Sequence, residues 1–550
     1  MKHIKSSAAA LFIGLSASFP AQAFFLDGNG HYGLIGETQV APEFQKDRGT
    51  YQATRISFDL NGEVRANDRA SFNLRLGLGE DTGHLYLGDS AKPKSCERRR
   101  SPDGDIPATD DSCDGRSQSA IDSGYSSMIP IIREAYVKYA FNYCIVTAGR
   151  RSRDVGIGAF INSGKRPFDT DASIFDGITC DVNMQKHQDL GFTFGIDRLQ
   201  ETGVWIDNPY DSPVKDGERE AEFGKRSRKF GANSAGDDMD QLFFGITYDD
   251  LKTKSPGSFA KQVSIYFSNI LSGDTKTDVK FFDLYTGFYF GKFSLKNELI
   301  FRLGKTADPA VVAMGGKRST DEATITNNVN SMAVAGKLEY TIHKSGAALG
   351  PEEFNEGNLR RHVLFADYAY APGDSDGYYV DSGSASEERN QAIGEAKRGN
   401  NRASALALHK NFRPALLFFN GRSTSRDTAV GGVYNPERIM NATIYSLGYR
   451  YENMEAGNFE IKLISGRLLE TAPSDLVSYL NSGTETSRPM GFYGSDLGYE
   501  LDLMYTYQYQ REVELSIGAA AANPGKAWKM SSTQGTQMGL GLLTSFAVKF

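Results

Sequence analysis

Charged side chains recur in this chain at every second position of segments whose other residues are apolar. Glu500 and Asp502 alternate with Tyr499, Leu501 and Leu503, and Lys296, Glu298 and Arg302 alternate with Leu295, Leu299 and Phe301. Arg55, Arg75, Glu134, Lys138, Asp283, Lys337, Glu339 and Arg450 sit in segments of the same kind, as do Asp59, Glu63, Glu460 and Lys462. Successive side chains of a strand point to opposite faces, so each segment has one apolar and one charged face. Two chemistries fit fixed charges on such a face. They can select ions and polar solutes in a water-filled interior, or they can pair across strands and solvate a wall.

Bond-making chemistry finds little support. His31, His84, His187, His343, His362 and His409 are scattered, and none lies in an H-E-x-x-H or G-x-S-x-G motif. A triad assembled from separate strands is the one enzymatic reading left, and the expectation is no enzyme, no cofactor and no metal. Asp103, Asp105, Asp110, Asp111 and Asp114 crowd one polar stretch, but their spacing is not that of a calcium-binding EF-hand loop. The four cysteines, Cys96, Cys113, Cys144 and Cys180, lack C-x-x-C spacing, which favours disulfides over metal. Cys96 and Cys113 flank a single glycine-containing stretch, so that pairing is favoured, with Cys144–Cys180 following by elimination.

The elements that would hold these faces are strands. The last thirteen residues alternate without a break: Met538, Leu540, Leu542, Thr544, Phe546, Val548 and Phe550 on one side, mostly small or polar residues on the other. The same alternation fills 445–463, 499–521, 282–301 and 56–76. Short turns are expected at 65–69, 291–292, 453–457 and 510–511. Six long polar connections, 79–127, 198–239, 303–328, 372–402, 470–496 and 522–537, all fall at the opposite end. No sustained helical period is found. The fold expected is all-β: a transmembrane antiparallel β-barrel of the bacterial outer-membrane type, about 18 strands within a range of 16–20. A soluble barrel would turn its apolar face inward, and no 20–50-residue repeat suggests a solenoid.

Residues 1–23 read as a secretory signal peptide, with Lys2 and Lys5, an apolar run from Ala8 to Phe19, and Ala21-Gln22-Ala23 as the cleavage site. The run is shorter than the ~20 residues of a spanning helix. Removing it lowers the formal charge of −7 by two, and a net acidic chain argues against nucleic acid as a partner. Residues 24–550 are then expected to form a single domain, with the C-terminus in the periplasm and Phe550 as an assembly signal. The partners expected are outer-membrane lipid and lipopolysaccharide, the barrel-assembly machinery, and a polar or anionic solute. Oligomeric state is left open.

Within 360–550 the chain resembles the alginate export porins. Leu497, Gly498, Glu500, Asp502 and Leu503 match their Leu-Gly-x-Glu-x-Asp-Leu strand, Pro524-Gly525 matches the Pro-Gly pair that closes the next, and 367–376 is similar to a third strand. Pro372 and Ala521 to Asn523 depart from that pattern. The resemblance implies an outer-membrane channel for polar or anionic solutes, oligo- or polysaccharide among them. That family is expected to carry a strongly basic interior, whereas acids here are at least as numerous as bases. A general diffusion porin is the alternative within transport. A surface adhesin or assembly scaffold acting through the long connections is the alternative of another class.

Overall fold

Alternating segments become strands here because each can bury one face and expose the other while its backbone groups pair with neighbours. The computed structural model describes residues 25–40, 44, 50–67, 69–78, 84–87, 130–165, 169, 172–183, 189–199, 239–251, 259–272, 276–306, 326–345, 360–374, 402–419, 438–453, 455–482, 490–509, 512–529 and 536–549. The strands are β1 (Phe25–Val40), β2 (Thr50–Asn67), β3 (Ala70–Leu78), β4 (His84–Leu87), β5 (Pro130–Ala140), β6 (Ile145–Ser152), β7 (Ile174–Asn183), β8 (Leu190–Leu199), β9 (Met239–Asp249) and β10 (Ala260–Ser272). They continue as β11 (Thr277–Phe290), β12 (Phe293–Thr306), β13 (Asn327–Ser345), β14 (Arg360–Ala371), β15 (Arg402–Ala403), β16 (Ala442–Asn453), β17 (Gly457–Leu468), β18 (Asp496–Tyr509), β19 (Val513–Pro524) and β20 (Gly539–Lys549).

Neighbouring ring strands pair antiparallel, and β20 returns to β1 in register from His31↔Lys549 to Val40↔Leu540, which closes the barrel. The sheet has 20 strands, slightly above the expected about 18. The excess has a local cause. β4 continues the lane of β3, since β3 pairs with β2 from Asp59 onward and β4 pairs with Thr54 to Ser57 of the same strand. β15 is a two-residue parallel contact with Asn328 and Val329 of β13, beyond the point where β14 stops pairing with that strand.

Short turns join β2–β3, β11–β12, β16–β17 and β18–β19 at one end. The long connections lie at the other. Within them the described residues include a helix, α1 (Ser474–Ser482), which the alternation did not reveal, and a single 3-10 turn, Lys526–Trp528.

Among the described residues the outer wall is apolar on all ring strands but one. Exposed large apolar side chains occur on every ring strand except β2, most of whose side chains lie outside the described set. Leu447, Ile178, Ile196, Ile517, Leu463 and Leu542 form the band. Aromatic residues crowd its short-turn edge: Tyr139, Phe141, Tyr143, Phe290, Phe293 and Tyr509. Such a girdle suits the boundary between hydrocarbon and water, where ring and polar tip meet different solvents.

This surface generates a prediction. Leu447→Arg or Ile517→Arg on the band should cost about 2–4 kcal/mol of folding in lipid. Lys138→Glu, on the inner face, should leave folding unchanged. Refolding into phosphatidylcholine vesicles, read by the gel shift between folded and unfolded barrel, checks both.

Candidate functional site

A ring of this size is too wide for its wall side chains to fill, and two stretches of chain enter it from the long-connection end. The first, 153–165, leaves β6. The second, 402–419, lies between β14 and β16. Each is gripped by one buried glutamate of the wall.

In the first segment, Gly156 and Gly158 adopt φ of 61° and 76°, a left-handed region open to glycine at little cost. The resulting tight turn aims successive backbone N–H groups at one point, an anion-binding concavity. Glu298 of β12 fills it: the amides of Ile157, Ala159 and Phe160 donate to its carboxylate at 2.7, 3.3 and 3.0 Å. A Cβ at position 156 would collide with that carboxylate. The second segment repeats the device. The amides of Leu416, Leu417 and Phe418 donate to Glu500 of β18 at 2.8, 2.6 and 2.8 Å, and Leu416 also reaches Asp502 at 3.1 Å. Glu298 and Glu500 are both 0 % exposed.

The segments meet inside the barrel. The His409 amide donates to the Ala159 carbonyl at 2.7 Å, and the Asn411 side-chain amide donates to Asn162 Oδ1 at 3.2 Å. An apolar core forms around them from Val155, Phe160, Ile161, Leu406, Leu408, Phe418 and Phe419 against inward wall residues such as Phe281, Ile300, Ala333, Ala369 and Ile444. Phe160 stacks on Phe281 at 5.0 Å between ring centroids, and Trp528 packs on Phe44 at 4.6 Å and on Phe418 at 5.8 Å. Glycine makes room for this filling. A Cβ at Gly541 would lie 2.8 Å from Leu417, and one at Gly539 2.6 Å from Phe44.

The charged residues singled out in the sequence divide between two settings. Asp283, Glu298, Arg302, Glu500 and Asp502 are buried beneath the segments. Arg302 donates to the Ala405 carbonyl at 2.5 Å and to Ser331 at 3.0 Å, so it holds the second segment as well. Arg75 and Glu134 are buried against the first segment: Arg75 donates to the Gly164 carbonyl at 2.9 Å and pairs with Asp59 at 2.9 Å and Glu134 at 3.5 Å. At these positions the expected wetted wall is instead a set of anchors for chain folded inside.

Lys337, Glu339 and Arg450 lie nearer the short-turn end and form a cross-strand network. Arg450 meets Glu339 and Glu452 at 2.6 Å each and Glu460 at 3.5 Å, while Lys337 reaches Glu339 at 3.7 Å and Asp367 at 3.6 Å. Lys296 lies over the Tyr289 ring at 5.9 Å, and Lys138 is exposed over Tyr136 at 5.3 Å. The side chain of Arg55, together with Cys96, Cys113 and Phe550, lies outside the described residues. Cys144 and Cys180 are disulfide-bonded, with Cα atoms 5.7 Å apart. Among the described residues no cluster of three or more His, Cys, Asp or Glu could hold a metal.

Sequence reading missed a second charged set on β6–β8 and the residue that follows β6. Arg150 forks onto Asp176 through two 2.9 Å bonds, and Arg151 and Arg153 share the buried Asp197 at 2.5 and 2.8 Å. The Arg153 guanidinium also lies 3.8 Å from the Phe243 ring centroid. The run Gly149-Arg150-Arg151-Ser152-Arg153 was its signal. Three arginines within four positions at a strand end need acids nearby, and Asp176 and Asp197 supply them from adjoining strands.

No protein-family model matches the chain, and no curated protein sequence matches it. Similar solved structures include OccK2 (OpdF) of Pseudomonas aeruginosa in complex with glucuronate, 11% identical, covering 96% of this chain and 100% of that one with a TM-score of 0.44. OccK9 (OpdG) of the same organism is 12% identical, covering 95% and 99%, with a TM-score of 0.44. A BenF-like porin from Pseudomonas fluorescens Pf-5 is 11% identical, covering 96% and 99%, with a TM-score of 0.43. None of the three is named as an alginate exporter, and likeness at this level carries no argument about this chain. The resemblance to alginate export porins therefore rests on its quoted motifs alone, and the barrel on its own strand register.

The grip of Glu298 on a glycine turn is testable by comparison of two glycines. Gly291 has φ 54° with nothing near its absent Cβ, so Gly291→Ala should cost only the left-handed penalty of roughly 1–2 kcal/mol. Gly156→Ala adds the collision and should lower the thermal midpoint further. Thermal unfolding of both variants in detergent decides.

Proposed function

We propose that the protein is an outer-membrane channel for small polar or anionic solutes, with its C-terminus and short turns in the periplasm. One observation carries this reading: a closed ring of strands wears an apolar band outside and keeps its charges inside. A hydrocarbon solvent outside and water inside account for both faces at once. Two segments meeting across the interior favour small solutes over a polymer such as alginate.

The balance of exposed charge favours anions. Lys165, on the first segment, has 56% of its side chain exposed and lies 4.0 Å from the buried Glu134. Lys337 is 31% exposed, and its acid partners Glu339 and Asp367 are less so at 20% and 15%. Fixed positive charge at solvent-reachable points of a narrow passage raises the local anion concentration.

Purified protein in a planar bilayer should give discrete conductance steps with an anion-favouring reversal potential in a salt gradient. Glucuronate should reduce the current more than a neutral sugar of similar size. Lys165→Glu should move the reversal potential toward cations. A barrel that folds and inserts but never conducts would sink the channel reading in favour of a scaffold.

A further inference from the structure

We infer that Glu298 and Glu500 are positioning residues that hold the passage narrow, each by latching one inward segment through its backbone amides. The functional half of this inference rests on the channel reading; the structural half does not.

The two sites share a design that packing alone does not require. Each carboxylate is fully buried, belongs to a wall strand, and accepts three amides from a stretch of four residues or fewer. Sequence separation is large, 141 residues for Ile157 and 84 for Leu416. The amides belong to non-regular chain; those of Ile157, Ala159 and Phe160 donate to Glu298 and those of Leu417 and Phe418 to Glu500, while Leu416 is shared between Glu500 and Asp502. Hydrogen bonds to a charged acceptor are the strong class. Losing the acceptor would strand buried N–H groups, which cost far more unpaired than they gain when paired. Releasing a latch therefore frees its segment rather than letting it settle in place.

The latches lie on separate strands of the ring, β12 and β18, with β13, β14, β16 and β17 between them, and the segments they hold touch through the His409–Ala159 and Asn411–Asn162 bonds. Each latch thus fixes one half of a two-part partition. Loss of either should widen the passage without opening the ring, whose strand pairing involves neither side chain.

The test uses the full chain, refolded into detergent micelles or bilayers, as Glu298→Gln and Glu500→Gln. Gln puts an NH2 donor group in place of one acceptor oxygen where the nest offers only donors, so it cannot accept all three amides as the two carboxylate oxygens do. Amide hydrogen exchange in Glu298→Gln should accelerate by about tenfold or more at 157, 159 and 160, while strand amides and 416–418 stay protected. Glu500→Gln should accelerate exchange at 417 and 418, with strand amides and 157–160 staying protected. Both should raise single-channel conductance and weaken the anion preference. A merely structural role predicts a different result: exchange rising across the strands together, with conductance steps unchanged in those molecules that fold. Unchanged exchange at the named amides overturns the latch, and faster exchange with unaltered conductance overturns its control of the passage. A wild-type barrel that does not conduct overturns the channel reading, while the exchange result still decides the latch. The two variants are independent, so a folding failure in one leaves the other to decide.

Discussion

Two carboxylates decide what this barrel encloses. Glu298 and Glu500 stand on the inner wall, and each collects three backbone N–H groups from chain that would otherwise have no reason to enter. Irregular backbone carries unpaired polar groups, so it lies on surfaces unless something inside satisfies them. Here the wall supplies the acceptors. Once the amides are paired, the apolar side chains of the same segments can pack, Phe160 on Phe281 of the wall and Phe418 on Trp528 of the 3-10 turn. The polar latch and the apolar core are therefore coupled: the first makes the second affordable.

The result is an interior with two regimes. Toward the long connections the wall turns small or apolar residues inward, Ala333, Ala369, Ala522 and Ile444 among them, and these are covered. Toward the short turns it turns charges inward, and Arg450, Glu339, Glu452 and Lys337 satisfy one another across strands. Arg75 of β3 bridges the regimes, since it pairs with acids of the wall and also holds the Gly164 carbonyl of the first segment. Outside, among the described residues, exposed apolar side chains occur on every ring strand except β2. A barrel can carry such different inner halves because alternation fixes only which face a residue takes, leaving each face free to meet a different solvent along its length.

What was legible in the sequence was local. The turn at 291–292 separates Phe290 from Phe293 as read, and the turn expected at 453–457 runs from the last residue of β16 to the first of β17, because alternation and turn chemistry act over a few residues. The inward segments were not legible, because the residues that hold them are far away in sequence. Nothing near Ile157 announces Glu298. Signals existed but had a second meaning. Gly539 and Gly541 read as the small, wet face of the closing strand, whereas they make room for Phe44 and Leu417. Glu500 and Asp502 read as wall charges facing water, and they are buried against backbone amides. A charge alternating with apolar residues says which face it is on, and says nothing of what comes to meet it there.

The central claim is that chain from two connections lies inside the barrel, held by two wall carboxylates. A crystallographic electron-density map of the detergent-solubilised protein tests it most directly. The account predicts continuous density for 153–165 and 402–419 within the ring, with the amides of Ile157, Ala159 and Phe160 on Glu298 and those of Leu416, Leu417 and Phe418 on Glu500. Density for these segments outside the ring, with both carboxylates facing open water, would contradict it.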